Sequence, residues 1–327
     1  MDNSIYQRTA AVLAGESLTA EQALSLISKV KKNDSALTAL HQGAEAIRQQ
    51  FCGEQVELCS IVNAKSGRCA ENCAFCAQSQ HHQTTTPIYP LRQPHQLLEA
   101  AKRAEQSGAR CFSLVTSGTR VLPGEETDIL LRALEQIATQ CDLDPSVSLG
   151  FLDPQTATRL VAAGCVTYHH NLETARSFFA NVCSTHSYHQ ALDTLKIAQQ
   201  AGLRLCSGGI FGMGESWAQR IELACSLREL NIDSVPINFL TPIAGTPLEN
   251  QPALSTDDCL TIISLFRYLL PQARISVCGG RQYQLKARQN EIFKAGASGM
   301  MIGDFLTTSG SALSLDHQLL QQAGMSW

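Results

Sequence analysis

The sequence predicts an α/β protein built as a (β/α)8 TIM-type barrel. Three observations carry the prediction. Residues 1–52 read as helix throughout. From residue 53 to 305, eight short β-rich runs alternate with amphipathic helices, and ~250 residues is the length that eight β/α units need. No G-x-G-x-x-G follows the first run, where a doubly wound sheet binding a dinucleotide would carry one. The chain therefore divides into an N-terminal helical extension (1–52), the barrel (53–305) and a C-terminal segment (306–327).

Within the extension, "LTAEQALSLIS" pairs Thr19 with Gln22 as a capping box ahead of apolar residues at helical spacing. The strand candidates follow in order: "VELCSIVN" (56–63), "CFSLVTS" (111–117), "SVSLGF" (146–151), "VTYHHN" (166–171), "LRLCSGG" (203–209), "SVPINFL" (234–240), "ARISVCGG" (273–280) and "GMMIGD" (299–304). Between them, helices such as "PHQLLEAAKRAEQSG" and "SYHQALDTLKIAQQAG" close on glycine, as helix C-termini do. In such a barrel the loop after each strand carries the chemistry. Two of these loops stand out: "GRCAENCAFCAQS" after the first strand and "SGGIFGMGE" after the fifth.

Composition narrows the function classes. Of 327 residues, 17% are charged and 44% hydrophobic, which suits a folded enzyme-sized chain. A formal net charge of −4 without a basic run argues against nucleic acid as a partner. No apolar run approaches the ~18 residues of a membrane span, and "MDNSIYQRTAAVLAG" does not read as a signal peptide. A cytoplasmic location is expected. In that reducing compartment, the 13 cysteines read as metal ligands, catalytic groups and core residues rather than disulfides.

Cys69, Cys73 and Cys76 are spaced C-x3-C-x2-C. Three thiolates hold three corners of a 4Fe-4S cube and leave the fourth iron open to a cosubstrate, as catalytic zinc sites leave a position open. An electron-carrier ferredoxin would show a fourth cysteine in the run. The alternative is a Cys3His zinc site completed by a histidine such as His81, although zinc ligands usually come as two C-x2–4-C halves. A lone Gly-rich turn such as "GGIFGMGE" is a weak signal for a phosphate cradle, and its glycines suit close approach of backbone to an adenosyl group. His169 and His170 are adjacent on a strand, face opposite sides and cannot share one ion.

With Phe75 before its last cysteine, the C-x3-C-x2-C motif resembles that of radical S-adenosylmethionine (SAM) enzymes. "NAKSGRCAENCAFCAQS", "YHHNLET", "CSGGIFGMGE", "SVPINFL", "GTPLE", "GGR" and "GDFLTT" together resemble the biotin synthase family over about residues 50–310. The resemblance implies sulfur insertion into dethiobiotin, with a 4Fe-4S cluster on Cys69, Cys73 and Cys76, SAM as cosubstrate and an auxiliary iron–sulfur cluster as sulfur source. It assigns SAM contacts to Thr116, Ser117, Gly118, Asn171 and Glu173. It assigns dethiobiotin contacts to Asn171, Asn238, Thr307 and Thr308. It also implies a low-potential electron donor of flavodoxin or ferredoxin type, and a homodimer.

The chain departs from the better-known family members, which hold a 2Fe-2S auxiliary cluster by three cysteines and an arginine. Cys206 and Arg281 match that pattern, but serines stand at the other two positions, Ser113 and Ser146. Serine is a poor replacement for a soft thiolate. The chain resembles instead a branch, mostly from anaerobes, thought to carry a four-iron auxiliary cluster. The expected ligands are Cys206, Arg281, Cys59 and Cys183, with Cys52 and Cys278 as weaker candidates. Cys111, Cys141, Cys165, Cys225 and Cys259 are expected to be fillers. Two rival readings remain: a radical enzyme of the same scaffold that rearranges carbon without inserting sulfur, and a zinc-binding structural protein.

Overall fold

In the computed structural model, which describes residues 3–121 and 123–327, the eight β-rich runs form one closed parallel barrel. The strands are β1 (Glu57–Lys65), β2 (Cys111–Thr116), β3 (Asp144–Ser148), β4 (Thr167–His169), β5 (Arg204–Cys206), β6 (Gly209–Phe211), β7 (Ser234–Phe239), β8 (Arg274–Val277) and β9 (Gly299–Met301). β1 pairs with β2 and β9, and the ring closes where β5 and β6 both pair with β7. β5 and β6 are thus two halves of the fifth stave, so nine segments make the eight staves expected.

The break has a local cause. Pro236, opposite the gap, has no N–H to complete the ladder. Across the break, Gly208 N–H donates to Asn171 Oδ1 at 3.1 Å, and Ile210 N–H to the Glu173 carbonyl at 2.9 Å. A Cβ at Gly208 would stand 2.0 Å from the Pro236 carbonyl oxygen, so only glycine permits this approach.

Helices α1 (Asn3–Leu13), α2 (Ala20–Val30) and α3 (Asp34–Cys52) precede the barrel. The expected capping box is present: Gln22 N–H donates to Thr19 Oγ1, and Thr19 N–H to Gln22 Oε1. The staves are joined by α4 (Pro94–Gln106), α5 (Glu125–Gln140), α6 (Pro154–Ala162), α7 (Tyr188–Gln200), α8 (Trp217–Glu229) and α9 (Thr256–Leu269). After β8 comes the short α10 (Arg281–Leu285), and α11 (Leu313–Gln322) lies in the C-terminal segment. α3 packs on α9 through Gly43, where a Cβ would collide with the Tyr268 hydroxyl.

The main hydrophobic core lies between the sheet and these helices, and includes side chains of α1–α3. β1 shows the division residue by residue. Leu58, Ser60, Val62 and Ala64 are buried, while alternate residues from Glu57 to Lys65 are only half-buried. The period of two sends one set outward to the core and the other, including Cys59, toward the lumen.

Candidate active site

The lumen opens into a cavity of about 890 Å³ that reaches the C-terminal rim of the barrel. Cys59, Cys111, Cys206 and Cys278 line it, as do Ser113 and Ser146. Cys59 and Cys111 are paired neighbours on β1 and β2. The Cys278 thiol hydrogen-bonds with that of Cys59 and, with burial, raises Cys59 well above the usual thiol value. Burial likewise raises Cys206 and Cys111, and Cys206 is pushed further by Cys111 and Cys59. Thiols so buried stay protonated until a metal ion displaces the proton.

At the rim, the three-cysteine loop is tied by backbone bonds. Cys69 N–H donates to the Gln78 carbonyl at 2.9 Å, Cys76 N–H to that of Cys73 at 2.9 Å, and Ala74 N–H to that of Val182 at 2.8 Å. Cys76 and Phe75 line the cavity mouth. Burial pushes Cys76 up to about 11, and raises Cys69 against the opposing backbone N–H groups of Glu71 and Gly118. The turn of Thr116, Ser117 and Gly118 therefore stands beside Cys69. Thr116 Oγ1 is buried without a partner, whereas Ser117 Oγ donates to the Gly67 carbonyl at 2.7 Å. Three thiols on one loop, beside an unpartnered hydroxyl and an open cavity, fit a four-iron cluster with one iron left for a cosubstrate.

Asn171 and Glu173 line the same cavity. Asn171 Oδ1 accepts from Gly208 N–H and lies 3.0 Å from His169 Nε2, and its Nδ2 donates to Glu173 Oε2 at 3.3 Å. Burial raises Glu173 to about 8, which the Asn171 bond only partly offsets. His169 borders the lumen, while His170 packs on Phe151, so the two face opposite ways. Burial lowers both, to about 4 and about 3, keeping the imidazoles neutral. Asn238 Oδ1 accepts from Gly279 N–H at 2.9 Å and Nδ2 donates to the Gly209 carbonyl at 3.3 Å, which leaves one donor and one lone pair free toward the cavity. Thr307 and Thr308 lie at the cavity's edge.

Three sequence expectations change. Arg281, expected beside Cys206, turns away from the lumen: its guanidinium is fully buried against Asp316 (2.6 Å) and Gln289 (2.7 Å). Cys183, expected with Cys59 and Cys206, sits instead at the rim beside Cys73 and His186. Their shared hydrogen bond holds Cys183 below and Cys73 above the usual thiol value. Cys111, read as a filler, is a lumen residue. Strand parity carries that signal, since Cys111 and Ser113 occupy the same face of β2. In the Gly-rich turn after β6, Gly212 and Met213 N–H groups donate to buried Glu215, which Arg220 neutralises at 2.8 Å, so they are not free for a phosphate.

Sequence reasoning also missed Glu71 and Asn72. Glu71 accepts from Thr119 Oγ1 at 2.6 Å and Asn72 Oδ1 from Ser184 N–H at 3.0 Å, so this pair pins the cysteine loop to the segments after β2 and β4.

Residues 64–227 match the Radical SAM superfamily and residues 236–326 the Biotin and Thiamin Synthesis associated domain. The chain is 49% identical to the biotin synthase of Syntrophotalea carbinolica, across 100% of this chain and 99% of that one. It is 50% identical to that of Geotalea daltonii, across 96% and 95%. Among solved structures, methylornithine synthase (PylB) superposes with a TM-score of 0.85 at 19% identity, covering 98% of this chain and 96% of that one. The FeFe-hydrogenase maturase HydG from Carboxydothermus hydrogenoformans gives 0.78 at 18%, covering 98% and 78%; at these identities both show the fold alone. Full-length identity near one half carries more than fold, and the chain belongs to the biotin synthase family of the radical SAM superfamily.

Proposed function

We propose that the chain converts dethiobiotin to biotin by radical sulfur insertion. The observation that carries the reading is one barrel whose rim bears the C-x3-C-x2-C loop and whose lumen presents four further thiols. A cluster in the lumen would supply sulfur, and Cys69, Cys73 and Cys76 would hold the rim cluster, whose chemistry is one-electron cleavage of SAM. Its electrons come from a low-potential flavodoxin or ferredoxin type of donor.

The chain's own residues orient and enclose. The Thr116 hydroxyl and the Gly118 turn receive the methionine end of SAM beside Cys69, while Asn171 and Glu173 receive its ribose. Asn238 meets the ureido group of dethiobiotin with its remaining donor and lone pair, and Thr307 and Thr308 receive the carboxylate tail. Cys59, Cys111, Cys206 and Cys278 would hold the auxiliary cluster: four soft ligands lining the lumen suit a four-iron cluster, with Ser113 and Ser146 beside them as spectators. A C–H bond that no side-chain acid or base can break is thereby held where sulfur is at hand.

Anaerobic reconstitution with iron and sulfide, followed by a dethiobiotin assay, tests the function. About eight irons per chain with biotin formed is the expected result; about four irons and no biotin would favour a rearranging enzyme of the same scaffold.

Two variants probe individual assignments. Asn238→Asp keeps the oxygen that accepts from Gly279 and removes the amide donor. Dethiobiotin binding is expected to weaken by about 1–3 kcal/mol, measured by titration, while slow uncoupled SAM cleavage continues. Arg281→Leu leaves Asp316 buried and unpaired, so urea melts should show a loss of about 3–5 kcal/mol. Iron per folded chain should stay unchanged; loss of auxiliary iron in that variant would restore Arg281 as a ligand.

A further inference from the structure

Cys183 and His186 have no part in the reading above, yet they form a compact donor set with Cys73. The ligand atoms of the three residues all lie within 4.8 Å of one another. Cys183 Sγ stands 3.2 Å from His186 Nδ1, and Cys183 is buried. Zinc binds sulfur at about 2.3 Å and nitrogen at about 2.0 Å, so the ligand atoms around one tetrahedral ion stand under about 4 Å apart. The thiols of a four-iron cube, by contrast, each take a separate iron. The Cys183–His186 pair meets the limit for one ion, and the whole set, within 4.8 Å, comes within it on a small side-chain adjustment.

The surroundings hold the set in place. His186 lies edge-on between Phe151 and Phe179, at ring distances of 5.3 and 5.4 Å. Asn72 Oδ1 accepts from the backbone N–H of Ser184 at 3.0 Å and Thr185 at 3.3 Å, fixing the turn that brings Cys183 and His186 to one side. Glu71 Oε2, 2.6 Å from His186 Nδ1, is within a side-chain rotation of the fourth position. These bonds hold the segment that carries two of the ligands in place, as outer partners do at metal sites.

We propose that, before its cluster is built, the chain binds one divalent cation of the zinc class through Cys73, Cys183 and His186. The ion and the rim cluster exclude one another, because both need Cys73. Zinc at this site therefore blocks iron loading of the loop until it is removed. The proposal stands on the three side chains alone and survives if the sulfur-insertion reading fails.

The probe is Co2+ added without oxygen to the cluster-free full-length chain, since tetrahedral cobalt thiolates absorb in the visible. Other thiols also bind cobalt, so the site is read as the component lost between wild type and variants. Cys183→Ser and His186→Gln preserve size and hydrogen-bonding capacity, and circular dichroism confirms their fold. Each is expected to remove the same component, about one ion per chain, with affinity reduced about 100-fold or more. Cys69→Ala and Cys76→Ala should keep it, and Zn2+ should displace it. An unchanged spectrum in both Cys183→Ser and His186→Gln overturns the proposal. So does loss of the component in Cys69→Ala and Cys76→Ala, which would put the ion on the three-cysteine motif.

Discussion

Cys69→Ala, Cys73→Ala and Cys76→Ala are each expected to form no 5′-deoxyadenosine above background. The three thiols stand on one loop, and that loop is fixed by its own backbone bonds to Gln78 and Val182. Two thiolates cannot hold a cube that must leave one iron open. Among the described residues, the thiol grouped tightly with the loop is Cys183, whose Sγ stands with Cys73 and His186. Iron counts on the anaerobically reconstituted variants should fall by about four per chain. SAM cleavage near the wild-type rate in any of the three would remove the loop from the chemistry altogether.

The second large effect lies in the lumen. Cys59→Ser should lose the auxiliary iron, about four per chain, and retain that of the rim. SAM cleavage should continue, because the rim loop is untouched, and biotin should not form, because the substrate radical meets no sulfide. Cys111→Ser is expected to behave in the same way, which separates the lumen set from one in which Cys111 is a filler. Ser113→Ala and Ser146→Ala should leave both iron and biotin nearly unchanged. If the serines were oxygen ligands of a 2Fe-2S cluster, the outcomes would exchange: the serine variants would lose iron and Cys59→Ser would keep it. Iron analysis and biotin yield on these four variants decide the matter.

Much of the barrel is legible in the residues. The alternation in "VELCSIVN" assigns Cys59 to one face and Leu58 to the other, and burial follows that parity along β1. The capping box at Thr19 is equally local, since its atoms belong to residues three apart. What escapes is the direction of side chains at strand ends. Arg281 follows the last β8 residue by four positions, where parity no longer holds, and Asp316 on a distant helix decides its course. Cys183 lies in an irregular segment with no period at all. Its neighbour Cys73 is more than a hundred residues away, joined through Asn72. The break in the fifth stave falls between these cases. Pro236 and the Gly208–Gly209 pair both announce it, but only their juxtaposition across β5 and β7 says why.

The two-faced character of β1 has a consequence for a barrel proposed to hold its sulfur donor in the lumen. Leu58, Val62 and Ala64 point into the packed layer beneath the helices, and Cys59 points away from it. Close packing, which resists any change of volume, is confined to the outer layer. The inner wall is a sulfur-bearing surface around open space. A reagent stored there can be used up and rebuilt while the apolar jacket outside it keeps its contacts. The vessel does not have to unfold in order to be refilled.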